Sequence, residues 1–547
     1  MTKFYLTPKF FSVIKSCTKE QFVKDVIAGV IVAIIALPLS IALALASGVS
    51  PEQGIYTAIA AGFVVSLLGG SRIQIAGPTA AFATIVAGIV ATQGMSGLFL
   101  ATIMAGILLI LMGIFKFGAL IKFIPYTITT GFTAGIAVTI LIGQIKDFLG
   151  ITYAAGVKPI ETIEKIEANI EAIGTFSWQA LLVGAVCLAI LIIYPKFEKR
   201  VPPSLIAVVV GALMVKFIPG LNSGVFTIGE LYAIPTGLPH VDFGSFDFSL
   251  EKISAVLPSA FTIAVLAAIE SLLSCVVADG MVNSKHNPNA ELVAQGAANI
   301  ASVLFGGIPA TGAIARTAAN AKNGGRTPVA GMIHSVVLLL VLLFLMPLAE
   351  LIPMPAIAAI LFMVAYNMSE WRKFVRTIKT APLFDTLVMV VTFLLTVIFD
   401  LVVAIEVGMI LTAVLFLKRM SDESTVISWK NHGNEAVPDA LPSDVLVYEI
   451  SGAMFFGAAE KIADIATEDN TRCLILRMGG VNAIDATAIN SLEALIKKCL
   501  DSGICVLLSH VNNQPLEAMK KAGLYEKVGA ENFCSHIGDA LSIAAKK

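Results

Sequence analysis

The sequence predicts a polytopic α-helical membrane protein of 14 spans, built as a 7+7 inverted repeat and followed by a small cytoplasmic-type α/β domain. Three observations predict it. First, the chain of 547 residues is 57% hydrophobic and only 14% charged, against roughly 25% in a soluble domain. Mean hydropathy is +0.87, and the excess fills residues 25–417. Second, basic residues gather in alternate gaps between the apolar runs. Third, two stretches of sequence recur at one offset.

A span needs about 20 apolar residues, fewer where it is broken or enclosed by protein. Fourteen runs qualify, near 25–47, 52–69, 78–93, 97–116, 125–145, 178–195, 203–218, 254–278, 289–305, 310–321, 328–350, 354–369, 382–399 and 401–418. With residues 1–24 placed in the cytoplasm, the inward gaps hold Arg72; Lys116 and Lys122; Lys196, Lys199 and Arg200; Lys285; Lys322 and Arg326; and Arg372, Lys373, Arg376 and Lys379. The outward gaps are nearly free of Lys and Arg. In the exception, 146–177, Asp147, Glu161, Glu164, Glu167 and Glu171 outnumber the lysines. Both termini are therefore expected in the cytoplasm, in a multi-pass protein of a bacterial-type plasma or inner membrane. The first run is longer than a secretory signal and is followed by many like it, so it reads as a span.

The repeat rests on two matches. SLLGGSRIQIAGPTAAFAT (66–84) parallels SVLFGGIPATGAIART (302–317), and LIKFIPYTITTGF (120–132) parallels LAELIPMPAIAAILF (348–362). Repeat one is set at about 25–220 and repeat two at about 254–420. An odd number of spans in each inverts the second copy. Inverted repeats mark secondary transporters, with the substrate near the midplane where broken helices meet.

The third and tenth spans are expected to begin at Pro78 and Pro309, since Pro suits the first helical turn. The extended residues before them must be enclosed by protein or line a wet cavity. Two helix starts then face each other, each with free N–H groups and about half a positive charge. Gly77, Pro78, Thr79 and Ala80 on one side, and Ala310, Thr311, Gly312 and Ala313 on the other, make a site for a small anion. Arg316 either strengthens that field, stands in for a co-transported cation, or snorkels to the cytoplasmic side. Glu270, well inside the eighth span, must be protonated, paired with Arg316, or bound to a cation such as Na⁺. Ser274 follows at i+4 as a further oxygen ligand. Pro38 is expected to kink the first span, with Ser40 bordering the site. Asp279 and Lys285 read as interfacial, and Glu350, Asp400 and Glu406 are given no role.

Residues 421–443 read as a polar linker, and 444–547 alternate strands and helices in a small α/β sandwich. Asp485 stands at a helix N-cap, and Thr487 lies in the first turn, where a phosphate is tolerated. No Walker loop or catalytic constellation occurs, so the tail reads as a regulatory or dimerising module. The net charge of −1 gives no electrostatic footprint for nucleic acid. The seven Cys show neither disulfide nor zinc spacing. No cofactor is expected beyond Na⁺ as a coupling ion.

These motifs resemble the SulP family of anion transporters, related to sulfate permeases and prestin. The resemblance is carried by GPTAA (77–81), AAIESLLSCVVAD (267–279), HNPNAELVAQGAANIASVLFGGIPATGAIART (286–317), NGGRTPVAG (323–331) and a STAS-like tail. It implies a core domain moving against a gate domain, a homodimer, an anion between spans 3 and 10, and H⁺ or Na⁺ coupling through Glu270. It places Thr487 at the STAS phosphoacceptor position, although the usual Asp-Ser-Ser-Gly is here Asp-Ala-Thr-Ala. The expected function is secondary active transport of a small anion (sulfate, bicarbonate or a dicarboxylate) by alternating access. The rivals are a nucleobase–cation symporter of similar architecture and an uncoupled anion channel or exchanger.

Overall fold

Thr18 opens the first long helix, α1 (Lys19–Ala46), by accepting a hydrogen bond from the Gln21 N–H at 3.2 Å. A capping box of Ser50 and Gln53, with Pro51 at the first position, starts α2 (Pro51–Leu68). The computed structural model describes residues 6–119, 125–157, 159–198, 201–232, 249–399, 401–431, 442–465 and 470–546. Lys122, Lys199, Arg200, Asp400 and the first part of the 120–132 motif lie outside them. Within Met1–Met409, the first of two units, the elements after α2 follow in order. They are β1 (Ala76–Gly77), α3 (Ala80–Ile114), α4 (Tyr126–Leu149), α5 (Thr162–Glu171), α6 (Trp178–Ile193), α7 (Pro203–Phe217), α8 (Leu250–Val282), α9 (Pro288–Leu304), β2 (Thr311–Gly312), α10 (Ile314–Lys322), α11 (Val329–Phe344), α12 (Met354–Ser369), α13 (Trp371–Thr380), α14 (Leu383–Ile398) and α15 (Leu401–Glu423), the last running into the second unit.

The third and fourth predicted runs meet inside α3, where Gly94 takes φ 70° and turns the chain. Among the described residues, five helices are long and apolar enough to cross a membrane: Lys19–Ala46, Ala80–Ile114, Tyr126–Leu149, Trp178–Lys196 and Leu250–Val282. Three shorter apolar helices, Pro203–Phe217, Val329–Phe344 and Leu383–Ile398, accompany them.

These helices pack in two groups. One joins α1, α2, α3, α8, α9, α10 and α11; the other joins α4, α6, α7, α12 and α14. Small residues set the close crossings, as membrane helices require where no hydrophobic force separates them from lipid. A Cβ on Gly106 of α3 would meet the Gly296 carbonyl of α9 at 2.7 Å. Pro38 lies within the continuous α1, and Ser40 packs against Gly54 of α2, so Ser40 serves that crossing.

The second unit is Ile410–Lys547. Its sheet holds β3 (Thr425–Ser428), β4 (Val445–Ser451), β5 (Cys473–Gly480), β6 (Cys505–Ser509) and β7 (Phe533–Cys534) in that order. The β3–β4 pair is antiparallel and the rest are parallel. One face of the sheet buries Leu474, Leu476 and Leu508 against α16 (Ala486–Asp501) and α17 (Asn513–Lys521). The other buries Val447, Ile475 and Leu507 against α18 (Ile537–Lys546). The stretch read as linker, 421–443, is thus corrected at its start, where α15 runs through Glu423 and β3 follows at Thr425; residues 432–441 lie outside the described residues. Thr425, Val426, Ile427 and Ser428 show no apolar–polar alternation that would mark a strand beside the polar residues around them.

Candidate functional site

The Gly69-Gly70 and Gly306-Gly307 breaks bring two extended segments together. β1 pairs antiparallel with β2, Ala76 facing Gly312 and Gly77 facing Thr311. Backbone that could not be satisfied in lipid is therefore satisfied by its counterpart in the other repeat. The Ala313 N–H adds a bond to the Ile75 carbonyl at 2.8 Å.

The strand pair corrects one boundary. α3 begins at Ala80, just past Pro78, but α10 begins at Ile314 and not at Pro309. Residues 308–313 stay extended because β1 and two side chains take up their backbone groups. Asn299 of α9 both donates to the Ala310 carbonyl and accepts from its N–H, each at 2.9 Å. Thr57 of α2 accepts from the Ile308 N–H at 2.8 Å. Arg316 is consequently the third residue of its helix, close to the tip.

Both helix starts lack a side-chain cap. At α3 Thr79 sits at the N-cap, but its side chain is turned to Glu270, donating to Oε2 at 2.9 Å. Thr311, from β2, donates to the same oxygen at 2.9 Å. Glu270 of α8 is thus held between the two repeats by one hydroxyl from each. Thr311 is buried, while Thr79 and Glu270 retain partial exposure.

Arg316 is 1% exposed, so it does not snorkel. Its Nη2 donates to the Pro78 carbonyl at 3.1 Å. Its Nε and Nη1 are buried and have no acceptor among the described residues. A Cβ on Gly77 would overlap the guanidinium, so only glycine allows the arginine to lie along β1. The Glu270–Arg316 pair considered from sequence does not form: no carboxylate among the described residues stands within 4.0 Å of Arg316. A buried cation with open donors and an acidic group with hydroxyl partners therefore occupy one crossing without neutralising each other.

The structure brings Gly77, Pro78, Thr79, Ala80, Ala310, Thr311, Gly312, Ala313, Arg316 and Glu270 to this crossing. It does not bring Ser274 directly to Glu270. The Ser274 hydroxyl turns to Thr317 of α10, at 3.4 Å. Asp485 caps α16 as expected, accepting from Ala488 N at 2.9 Å and from Phe456 N at 3.0 Å, and Thr487 is exposed beside it.

Sequence reading missed the polar scaffold behind the site. Ser271 accepts from the Gly312 N–H at 3.0 Å. Glu291, fully buried in α9, accepts from Gly70 N at 2.8 Å, Ser71 N at 3.3 Å, Gln74 at 3.0 Å and Gln295 at 2.9 Å. The signal was present: Glu291, Gln295 and Asn299 recur at i, i+4 and i+8, a polar stripe along a mostly apolar helix.

The pattern of the sulfate permease family matches residues 22–392, and that of the STAS domain matches residues 439–540. The chain is 40% identical to YvdB of Bacillus subtilis, named as a candidate sulfate transporter, over 96% of this chain and 99% of that one. It is 31% identical to the bicarbonate transporter BicA of Picosynechococcus, over 95% and 94%. Among solved structures, SLC26A9 superposes with a TM-score of 0.87 at 17% identity, covering 99% of this chain and 93% of that chain, a likeness of fold. The transmembrane domain of a cyanobacterial BicA superposes with a TM-score of 0.63 at 30% identity, covering 71% and 98%.

Proposed function

The chain belongs to the sulfate permease family, and on that premise we propose that it is a secondary active transporter of a small anion. The anion sits at the opposed starts of α3 and α10. There the uncapped N–H groups and the open Nε and Nη1 of Arg316 offer donors in a buried, low-dielectric place. Sulfate, bicarbonate and a dicarboxylate all fit donors of this kind. Relatives named for sulfate and for bicarbonate support the first two of these.

Coupling runs through Glu270. Its carboxylate takes up H⁺ or Na⁺ while Thr79 and Thr311 hold it in place. Both repeats contribute to that hold, so a change in the distance between β1 and β2 alters cation and anion sites together. The group of α1–α3 and α8–α11 carries the site past the group of α4, α6, α7, α12 and α14 in alternating access. The protein works in a cell membrane, as a homodimer, with the STAS domain as its regulatory part.

The observation that supports this reading most is the separation of charges: Arg316 open to an anion and Glu270 open to a cation, at one crossing, unpaired with each other. Uptake of labelled sulfate, bicarbonate and succinate into proteoliposomes, under imposed H⁺ or Na⁺ gradients, tests it. One anion accumulating against its own gradient supports symport. Uptake that only equilibrates, or uptake of a nucleobase instead, contradicts it.

A further inference from the structure

We propose that α13 is an interfacial helix that docks on anionic lipid headgroups of the leaflet beside it. The ten residues WRKFVRTIKT divide cleanly at 100° per residue. Trp371, Phe374, Val375 and Ile378 fall on one side. Arg372, Lys373, Arg376 and Lys379 fall on the other, and no Asp or Glu lies between 371 and 380. An apolar arc with a Trp, opposed by a basic arc, is the pattern of a helix lying in the membrane plane.

The flanks fix that placement. The chain leaves α12 through Glu370 in the left-handed region (φ 39°, ψ 38°), so α13 cannot continue the span. It enters α14 through an extended Ala381 and Pro382. α13 thus joins two apolar helices at one membrane edge. Phe374 packs against Phe393 of α14 in a tilted ring contact, with centroids 5.3 Å apart. Lys373 pairs with Glu370 at 2.8 Å and lies over the Tyr126 ring at 4.8 Å. No residue of α13 is buried, and Trp371, Val375 and Ile378 are exposed. Arg376 and Lys379 have no acidic partner among the described residues. Charge complementarity selects the occupant. Uncovered cations at a membrane edge attract anionic headgroups at about 1 kcal/mol each, or about fivefold in binding, and the apolar arc beside them inserts among acyl chains.

The chain has three Trp, so Trp371 becomes the sole indole in W178F/W429F. Titrating this full-length protein in micelles with phosphatidylglycerol should shift Trp371 emission to the blue and saturate. Phosphatidylcholine should need a higher lipid fraction, and inorganic phosphate should give no shift. R376Q and K379Q should each raise the phosphatidylglycerol midpoint about fivefold. In the otherwise unaltered chain, W371F should remove part of the quenching by brominated phosphatidylglycerol. Equal midpoints for the two lipids, an unchanged midpoint in R376Q/K379Q, a shift reproduced by phosphate alone, or unchanged quenching in W371F would each overturn the proposal.

Discussion

The hydroxyls of Thr79 and Thr311 stand 3.3 Å apart, and each donates to the same oxygen of Glu270 at 2.9 Å. They come from opposite repeats, so this oxygen reports the meeting of the two halves. T79V and T311V each remove one hydrogen bond to an acidic group, worth about 1.5–3 kcal/mol when the group is charged. Each is expected to move the coupling ion's apparent affinity about tenfold: tighter for H⁺, because the lost donor favoured the charged carboxylate, and weaker for Na⁺, which loses a hydroxyl oxygen beside it. The double variant should shift by less than the sum, because both bonds serve one atom. The check is the cation dependence of uptake in proteoliposomes.

Arg316 offers a second handle. R316Q keeps a donor but removes the charge and the guanidinium fork. It should weaken anion affinity about 10–100-fold, the range of a lost charge-assisted hydrogen bond. R316K should recover only part, since an ammonium cannot hold the Pro78 carbonyl and a ligand with the same planar geometry. Anion-dependent thermal protection of the purified protein measures this without transport.

Glu291 is predicted to matter for stability and not for selectivity. E291A leaves the Gly70 and Ser71 N–H groups and the Gln74 and Gln295 amides without their acceptor in a buried place. A loss of about 3 kcal/mol or more follows, with a lowered unfolding temperature in detergent. E291Q should lose less, and its substrate preference should stay that of the parent.

In the second unit, D485A should cost about 1 kcal/mol by removing the cap of α16. T487E should be neutral or should stabilise by a few tenths of a kcal/mol, because Thr487 is exposed in the first turn, where the helix dipole favours negative charge. Chemical denaturation of the full chain followed by a probe in this unit checks both.

Much of this was legible in the sequence because lipid punishes unsatisfied backbone. A Gly-Gly break and a Pro inside apolar runs had to mean an enclosed crossing, and the recurrence of the break predicted its counterpart. The start of α10 was not legible. Pro309 suits a helix start locally, but the Thr311–Gly312 strand pair and Asn299 override that preference from 10 or more residues away. The partner of Ser274 was likewise a tertiary matter. Spacing at i+4 put it on the face of Glu270, yet Thr317 on a neighbouring helix takes its hydroxyl. β3 and β7 escaped because strands of four and two residues carry too little alternation to stand out.

The most direct measurement compares gradient-driven accumulation with anion exchange in E270Q proteoliposomes. The amide keeps the size and accepts from Thr79 and Thr311, but it neither binds a proton in the working range nor offers a charge to Na⁺. Exchange of labelled for unlabelled anion should persist, while uphill accumulation under the coupling gradient should vanish. Accumulation at the parent level in E270Q would contradict the assignment of cation and anion to separate groups at this crossing.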